Sequence, residues 1–221
     1  MKRSFFGSGV VVLSFALALA GCGGGGWGGG TSTVIAQTSS DVRADGDIGF
    51  IAPPPVGGTF SFSQASVAGS VLFGIDGADP NLPEFRAFLD FPLDGSNGGE
   101  AVPLGVQIAS ADIEVFVKRV SFAATVPVLL DLVPFAIPVV AADFDSPALT
   151  PTSFRSLNFF STDQAEFVRI DVTALMQEAQ RRGLRNLQLR FLLDASATAG
   201  LVEIADAGAG HEPLLSVEYV P

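Results

Sequence analysis

From Thr59 onward the chain alternates apolar and polar side chains in short runs. "TFSFS" (Thr59–Ser63) alternates, and "GSVLFGID" follows between glycines. In "EFRAFLDFPL", Phe85, Ala87, Leu89, Phe91 and Leu93 fall on one side of an extended chain, with Arg86, Phe88 and Asp90 on the other. Ala111, Ile113, Val115 and Val117 alternate with Asp112, Glu114, Phe116 and Lys118. "EFVRIDV" sets Val168, Ile170 and Val172 against Phe167, Arg169 and Asp171; "NLQLRFLLD" does the same with Leu187, Leu189, Phe191 and Leu193, and "PLLSVEYV" closes the chain. Successive side chains of a strand point to opposite faces. Period two, β-branched and aromatic enrichment, and turn residues between runs therefore predict half-buried strands.

One segment has a different period. "DVTALMQEAQRRG" places Ala174, Leu175, Met176 and Ala179 at helical spacing, behind a capping Asp171 or Thr173 and ahead of Arg181, Arg182 and Gly183. Acid at the start, base in the last turn and glycine beyond it predict one short helix. The middle, "PVLLDLVPFAIPVVAADFDSPALTPTSF", carries five prolines. Proline donates no ladder bond, so this stretch predicts short strand pieces and a long excursion. The fold class expected is all-β: an antiparallel β-sandwich, jelly-roll-like, with one short helix in a connection.

The first residues follow another logic. Lys2 and Arg3 precede an apolar, uncharged run from Phe5 to Ala20. That run fits a secretory signal better than a membrane span, which needs ~20 predominantly apolar residues. Its end, Leu19-Ala20-Gly21-Cys22, resembles the lipobox of bacterial lipoprotein signal peptides. The resemblance implies lipidation of the Cys22 thiol, cleavage before it, and acylation of the new amino terminus. Gly23, where an Asp would imply retention at the inner membrane, implies the outer membrane in a Gram-negative cell. Cys22 is the single cysteine, so no intramolecular disulfide is possible. Glycine, serine and threonine then dominate, which predicts a flexible tether, with Trp27 available to a headgroup interface. The expected division is a signal peptide over 1–21, the lipidated cysteine and tether over 22–47, and a β-sandwich domain over 48–221.

Charge narrows the partners. The chain has 12 Lys+Arg against 23 Asp+Glu; loss of Lys2 and Arg3 leaves ten bases against 23 acids. Nucleic acid and acidic lipid are disfavoured as partners held by bulk charge. Aromatics are almost all Phe, with one Trp and one Tyr.

The order of elements resembles the DNRLRE-type β-sandwich domains of bacterial surface proteins, which are related to carbohydrate-binding modules. The residues that carry the resemblance are Phe91, Ile108 with Ala111 and Ile113, Asp171-Val172-Thr173, and Pro213-Leu215-Val217-Tyr219. It covers Phe60 to Tyr219. The chain departs from that pattern at "GLVEIADAGAGHEP", where Glu203 has no Arg before it, and it lacks a Trp near the helix. The resemblance implies a non-catalytic binding module for polysaccharide. The alternative is a structural or assembly protein packing against another envelope component.

Candidate chemistry is sparse. His211 is the single histidine, which excludes a multi-His metal site, and no G-x-S-x-G elbow exists, so an enzyme is not expected. Asp143 and Asp145 share one face if extended, but nothing in the sequence sets them across a cleft. "DGADPN" clusters Asp76, Asp79 and Asn81 in a turn, hard oxygens of the kind calcium takes; the same residues also build turns for backbone reasons. No cofactor is required. Phe88 and Phe116 project opposite to the apolar faces of their strands. They form either a ligand-binding patch or the cover of an outer sheet face beneath the proline-rich excursion.

Overall fold

The computed structural model describes residues 32–52, 57–149, 154–194, 199–207 and 210–221. The expected signal peptide over 1–21, Cys22 and Trp27 lie outside the described residues. In chain order the elements are β1 (Val34–Ser39), β2 (Gly46–Ile51), β3 (Thr59–Gln64), α1 (Ala65–Ala68), β4 (Ser70–Ile75), β5 (Glu84–Pro92), β6 (Gln107–Ser121), β7 (Thr125–Leu132), β8 (Phe154–Phe160), β9 (Glu166–Asp171), α2 (Thr173–Arg182), β10 (Asn186–Leu193), β11 (Gly200–Ala205) and β12 (Leu214–Val220). All strand pairs are antiparallel.

Pairing runs β1-β12-β6-β11-β4-β5-β10-β7-β8, with β2 between β5 and β3 and β9 added to β6. The path curls on itself. Phe73 of β4 lies 4.9 Å from the Phe191 ring of β10 and 5.3 Å from Phe159 of β8, although β8 stands four places away along the path. The molecule is an antiparallel β-sandwich whose core takes the predicted inward positions: Ala87, Leu89 and Phe91 of β5, and Ile113, Val115 and Val117 of β6. The predicted helix is α2. It contributes Leu175, Met176 and Ala179 to this core and ends at Gly183 in the left-handed region, φ 65°. Asp171 Oδ1 accepts the Thr173 N–H, while the Thr173 hydroxyl is bonded to the Ala111 backbone of β6 and so fastens the helix start to the sheet.

Three features differ from expectation. Residues 34–39, expected in the tether, instead form β1 of the domain and pair with β12 from Val34↔Tyr219 to Ser39↔Leu214. Its buried positions are Ala36 and Thr38, too small and too polar to give a strand signal. A second helix, the single turn α1, buries only Ala65. The outer face of β5 is also buried, so alternation there does not separate core from solvent.

That outer face holds a second core. Ile48 of β2, Phe88 of β5, and Val133, Phe135, Val139 and Phe144 of the β7–β8 excursion pack together, with Phe50 and Phe60 at its margin. The Phe135 ring meets Phe88 edge-on at 5.3 Å. Two arginines on the sheet fasten the excursion. Arg190 of β10 pairs with Asp131 of β7 at 2.7 Å and donates to the carbonyls of Asp143 and Phe144 at 3.3 and 2.9 Å. Arg86 of β5 donates to the Phe144 carbonyl and to Asp145, and its guanidinium lies 3.8 Å over the Phe144 ring.

Gly74 marks the tightest strand contact. Its φ is +112°, and a Cβ there would stand 2.1 Å from the Gly200 carbonyl oxygen. Strain and collision act together, so Gly74→Ala is expected to destabilise the domain by about 2–3 kcal/mol, read as a lower urea midpoint at unchanged slope.

Candidate functional site

β6 pairs with β9 through Asp112–Val117 and with β12 through Gln107–Glu114. Asp112–Glu114 has both partners at once, so these strands flank β6 on opposite edges and β1 extends the row beyond β12. Cross-strand partners share a face. With Ala111, Ile113 and Val115 turned into the core, the outward face carries Phe116, Glu114 and Asp112 of β6. It also carries Phe167, Arg169 and Asp171 of β9, Leu214, Ser216 and Glu218 of β12, and Ile35 and Gln37 of β1.

At one end of this face three rings gather. Phe116 and its cross-strand partner Phe167 meet edge-on, centroids 5.1 Å apart. The His211 ring, from the loop before β12, stacks on Phe116 at 4.1 Å and 24°, and lies 5.7 Å from Phe167. Phe167 is 49 % exposed, His211 is exposed and Phe116 is half-buried. Next to the rings lies a groove of about 250 Å³, lined by Ile35, Gln37, Asp112, Glu114, Arg169 and Ser216 among others. Within it Gln37 Nε2 donates to Ser216 Oγ at 3.0 Å, and Arg169 donates to Asp112 at 2.7 Å. Asp112 pushes the Arg169 guanidinium further up from its ordinary value, chiefly through that hydrogen bond. The result is an aromatic cluster, with His211 covering one face of Phe116 and Phe167 set edge-on to it, beside acceptors and donors. This is the mixture by which shallow sites hold a ligand with one apolar face and many hydroxyls.

The sequence-predicted residues fare differently. Phe116 sits in this cluster. Phe88 does not: it is fully buried under Phe135 and Val139, the cover that the proline-rich excursion provides, and presents no surface to a ligand. Asp76 and Asp79 spend oxygens on their own turns: Asp76 Oδ1 accepts the Ala78 N–H, and Asp79 Oδ1 accepts both the backbone and side-chain N–H of Asn81. Among the described residues no group of three or more His, Cys, Asp or Glu is placed to hold a metal ion. Asp143 is buried and accepts the N–H groups of Ala136 and Val140, while Asp145 pairs with Arg86. The two acids anchor the excursion. Cys22 lies outside the described residues. Phe167 was legible as an outward ring by its alternation with Val168, but no local signal brings His211 onto Phe116, which is 95 residues away.

A second titratable cluster lies inside the domain. The buried Asp45 and Asp206 carboxyls lie close enough to influence each other's charge; Ser40 donates to Asp206 at 3.0 Å, and the Asp90 N–H donates to Asp45 at 2.6 Å, while the Oδ2 of each is left without a hydrogen-bond partner. Two carboxyls this near each other away from water resist ionising together, and burial pushes both above the ordinary carboxylate range. Burial also pushes Asp47 up to about 7, with the nearby Glu203 charge adding to it.

A scan of protein-family models gives no match to the chain, and comparison with curated proteins gives none.

Proposed function

We propose that this protein is a lipid-anchored component of the bacterial envelope, held through Cys22 on the outer membrane, whose β-sandwich binds polysaccharide without catalysis. The observation that carries the binding reading is the surface cluster of Phe116, Phe167 and His211 next to a groove of carboxylate, amide, hydroxyl and guanidinium groups. Sugar rings present an apolar C–H face that stacks on aromatics, and hydroxyls that satisfy such side chains. The lipobox-like Leu19–Cys22 and the resemblance to DNRLRE-type domains support the location and the class.

The test is substitution at the cluster. Phe116→Ala and Phe167→Ala are each expected to weaken polysaccharide binding about three- to tenfold, the worth of one aromatic contact. The melting temperature should stay within a few degrees. A large drop in melting temperature with binding retained by the folded fraction would assign the rings to packing instead.

An assembly role is favoured by a different surface. Phe62, Val67, Ile137 and Val140 are exposed, and the hollow between β3, α1 and the excursion is lined by Phe62, Val67, Pro138 and Val139 among others. Residues 59–75 and 132–142, among which its lining falls, carry no charged side chain. In a chain of net charge −11 this is where contact with another protein meets least repulsion. Concentration-dependent self-association, abolished by Phe62→Glu, would establish that reading.

A further inference from the structure

Among the described residues β1, β3, β8 and β9 each pair with a single strand, which leaves one edge of each open. An open edge is a row of backbone N–H and C=O groups ready for another chain. Folded proteins guard such edges with charge, proline, bulges or a covering loop. Glu100 closes β1: its N–H donates to the Gln37 carbonyl at 2.8 Å and its Oε2 accepts the Gln37 N–H at 2.9 Å. Asn97 donates to the Ser39 carbonyl of the same edge at 2.6 Å. β9 carries Glu166, Arg169 and Asp171 within six residues, and β8 gives its last N–H, that of Phe160, to Asp163 at 2.7 Å. β3 carries no such guard. Thr59–Gln64 reads TFSFSQ, without charge or proline, in unbroken register with β2 from Gly46↔Gln64 to Ile51↔Thr59.

β3 is also its own complement. A two-fold axis through Ser61, perpendicular to the sheet, sets two copies of the strand antiparallel, with Ser61 opposite itself, Phe60 opposite Phe62 and Thr59 opposite Ser63. Cross-strand partners share a face, so both phenylalanine pairs fall on one side of the joined sheet and the hydroxyls on the other. Aromatic cross-strand pairs are among those that stabilise strand pairing. Phe62 is 52 % exposed, and its ring already stacks on Phe60 at 6.5 Å, which in turn lies 4.8 Å from Phe50. A second copy extends that aromatic row. Charge favours the same place: two chains of net charge −11 repel over most of their surface, but residues 59–75 and 132–142 carry no charged side chain.

We infer that the partner at this surface is a second copy of this chain, joined β3 to β3 in one continuous antiparallel sheet about a two-fold axis at Ser61. Each chain has one open β3 edge, so the pairing closes at two. This inference rests on the assembly reading above and names its partner and its geometry.

The experiment uses the full-length protein in detergent solution, with Ser61→Cys. Across the axis the two Cα atoms would stand about 4.5–5.5 Å apart, within disulfide reach. Oxidation by copper phenanthroline is expected to give a covalent dimer whose peptide masses show a 61–61 disulfide. The parent, whose single cysteine is Cys22, is run beside it. Val67→Cys supplies the comparison: Val67 is 85 % exposed on α1, beyond the Gln64 end of β3, so the axis keeps its two copies apart and no 67–67 link should form. Ser61 is exposed, and Ser61→Lys sets like charges opposite each other. It is expected to weaken association about fivefold at an unchanged melting temperature. Equal linking at 61 and 67, a 67–67 link alone, or undiminished association of Ser61→Lys overturns the edge pairing while leaving the assembly reading standing. A chain that stays monomeric at every concentration and links at neither position overturns the edge pairing and self-assembly together.

Discussion

Arg190→Met is expected to cost the domain about 3–5 kcal/mol, the usual consequence of leaving a buried carboxylate without its partner. Asp131 is fully buried and Arg190 is 5 % exposed, so neither charge can turn to water. Asp131 is already pushed above the ordinary carboxylate range by burial, with Arg190 opposing that shift. The loss reaches further than one pair, because the same guanidinium binds the carbonyls of Asp143 and Phe144 and so holds the excursion on the second core. Urea unfolding of Arg190→Met should show the lower midpoint, and limited proteolysis should cut first between residues 133 and 149. The double variant Asp131→Leu with Arg190→Met separates charge from anchoring. It should regain most of the stability, since an apolar pair has no desolvation cost, yet keep the proteolytic sensitivity. Unchanged stability in Arg190→Met would mean that Arg86 alone suffices to hold the excursion.

The second large effect is a stability that falls as pH rises toward neutrality. Burial raises the pKa of Asp45, Asp47, Asp90, Asp131 and Asp206. A carboxyl with a raised value in the fold binds more protons folded than unfolded between the two values. The derivative of unfolding free energy with pH is then negative. For Asp47 the window runs from the model-peptide 3.8 to about 7. Its contribution is fully present below that window, is lost across it, and is flat above. A shift of that size corresponds to about 4 kcal/mol between the limits at 1.36 kcal/mol per pH unit. The domain should therefore melt higher at pH 5 than at pH 8. Asp47→Asn keeps an oxygen that can accept the Leu72 N–H now bonded to Asp47 Oδ2 at 3.2 Å, and it carries no charge at any pH. That variant should match the parent at pH 4.5 and exceed it at pH 8. A parent that gains stability steadily from pH 5 to 8 would show that these acids ionise in the fold with compensating partners.

Strands whose buried side is large and branched were legible in the sequence. Val115 and Val117 of β6, Leu189 and Phe191 of β10, and Ile170 of β9 all took their expected places, and α2 ended at its expected Gly183, while its N-cap is Val172 rather than Asp171 or Thr173. Helix and strand periods are local properties of covalent geometry, so a one-dimensional pattern carries them. Where the buried side is small or polar, as with Ala36 and Thr38 of β1, the pattern is silent and only the partner strand β12 defines the element. Phe116 and Phe88 show the same limit from the other direction. Both alternate outward from an apolar face, and their sequence surroundings do not distinguish them. One is left at the surface beside Phe167 and His211; the other is buried because the segment from Val133 to Phe144 returns over β5. Which face of a sheet meets water is set by what a distant segment covers. The sequence determined by itself the strands with large branched buried sides, the helix α2 and the sandwich class. The closed second core, the buried pairing of Asp45 with Asp206 and the three-ring cluster exist only once the chain has folded back on itself.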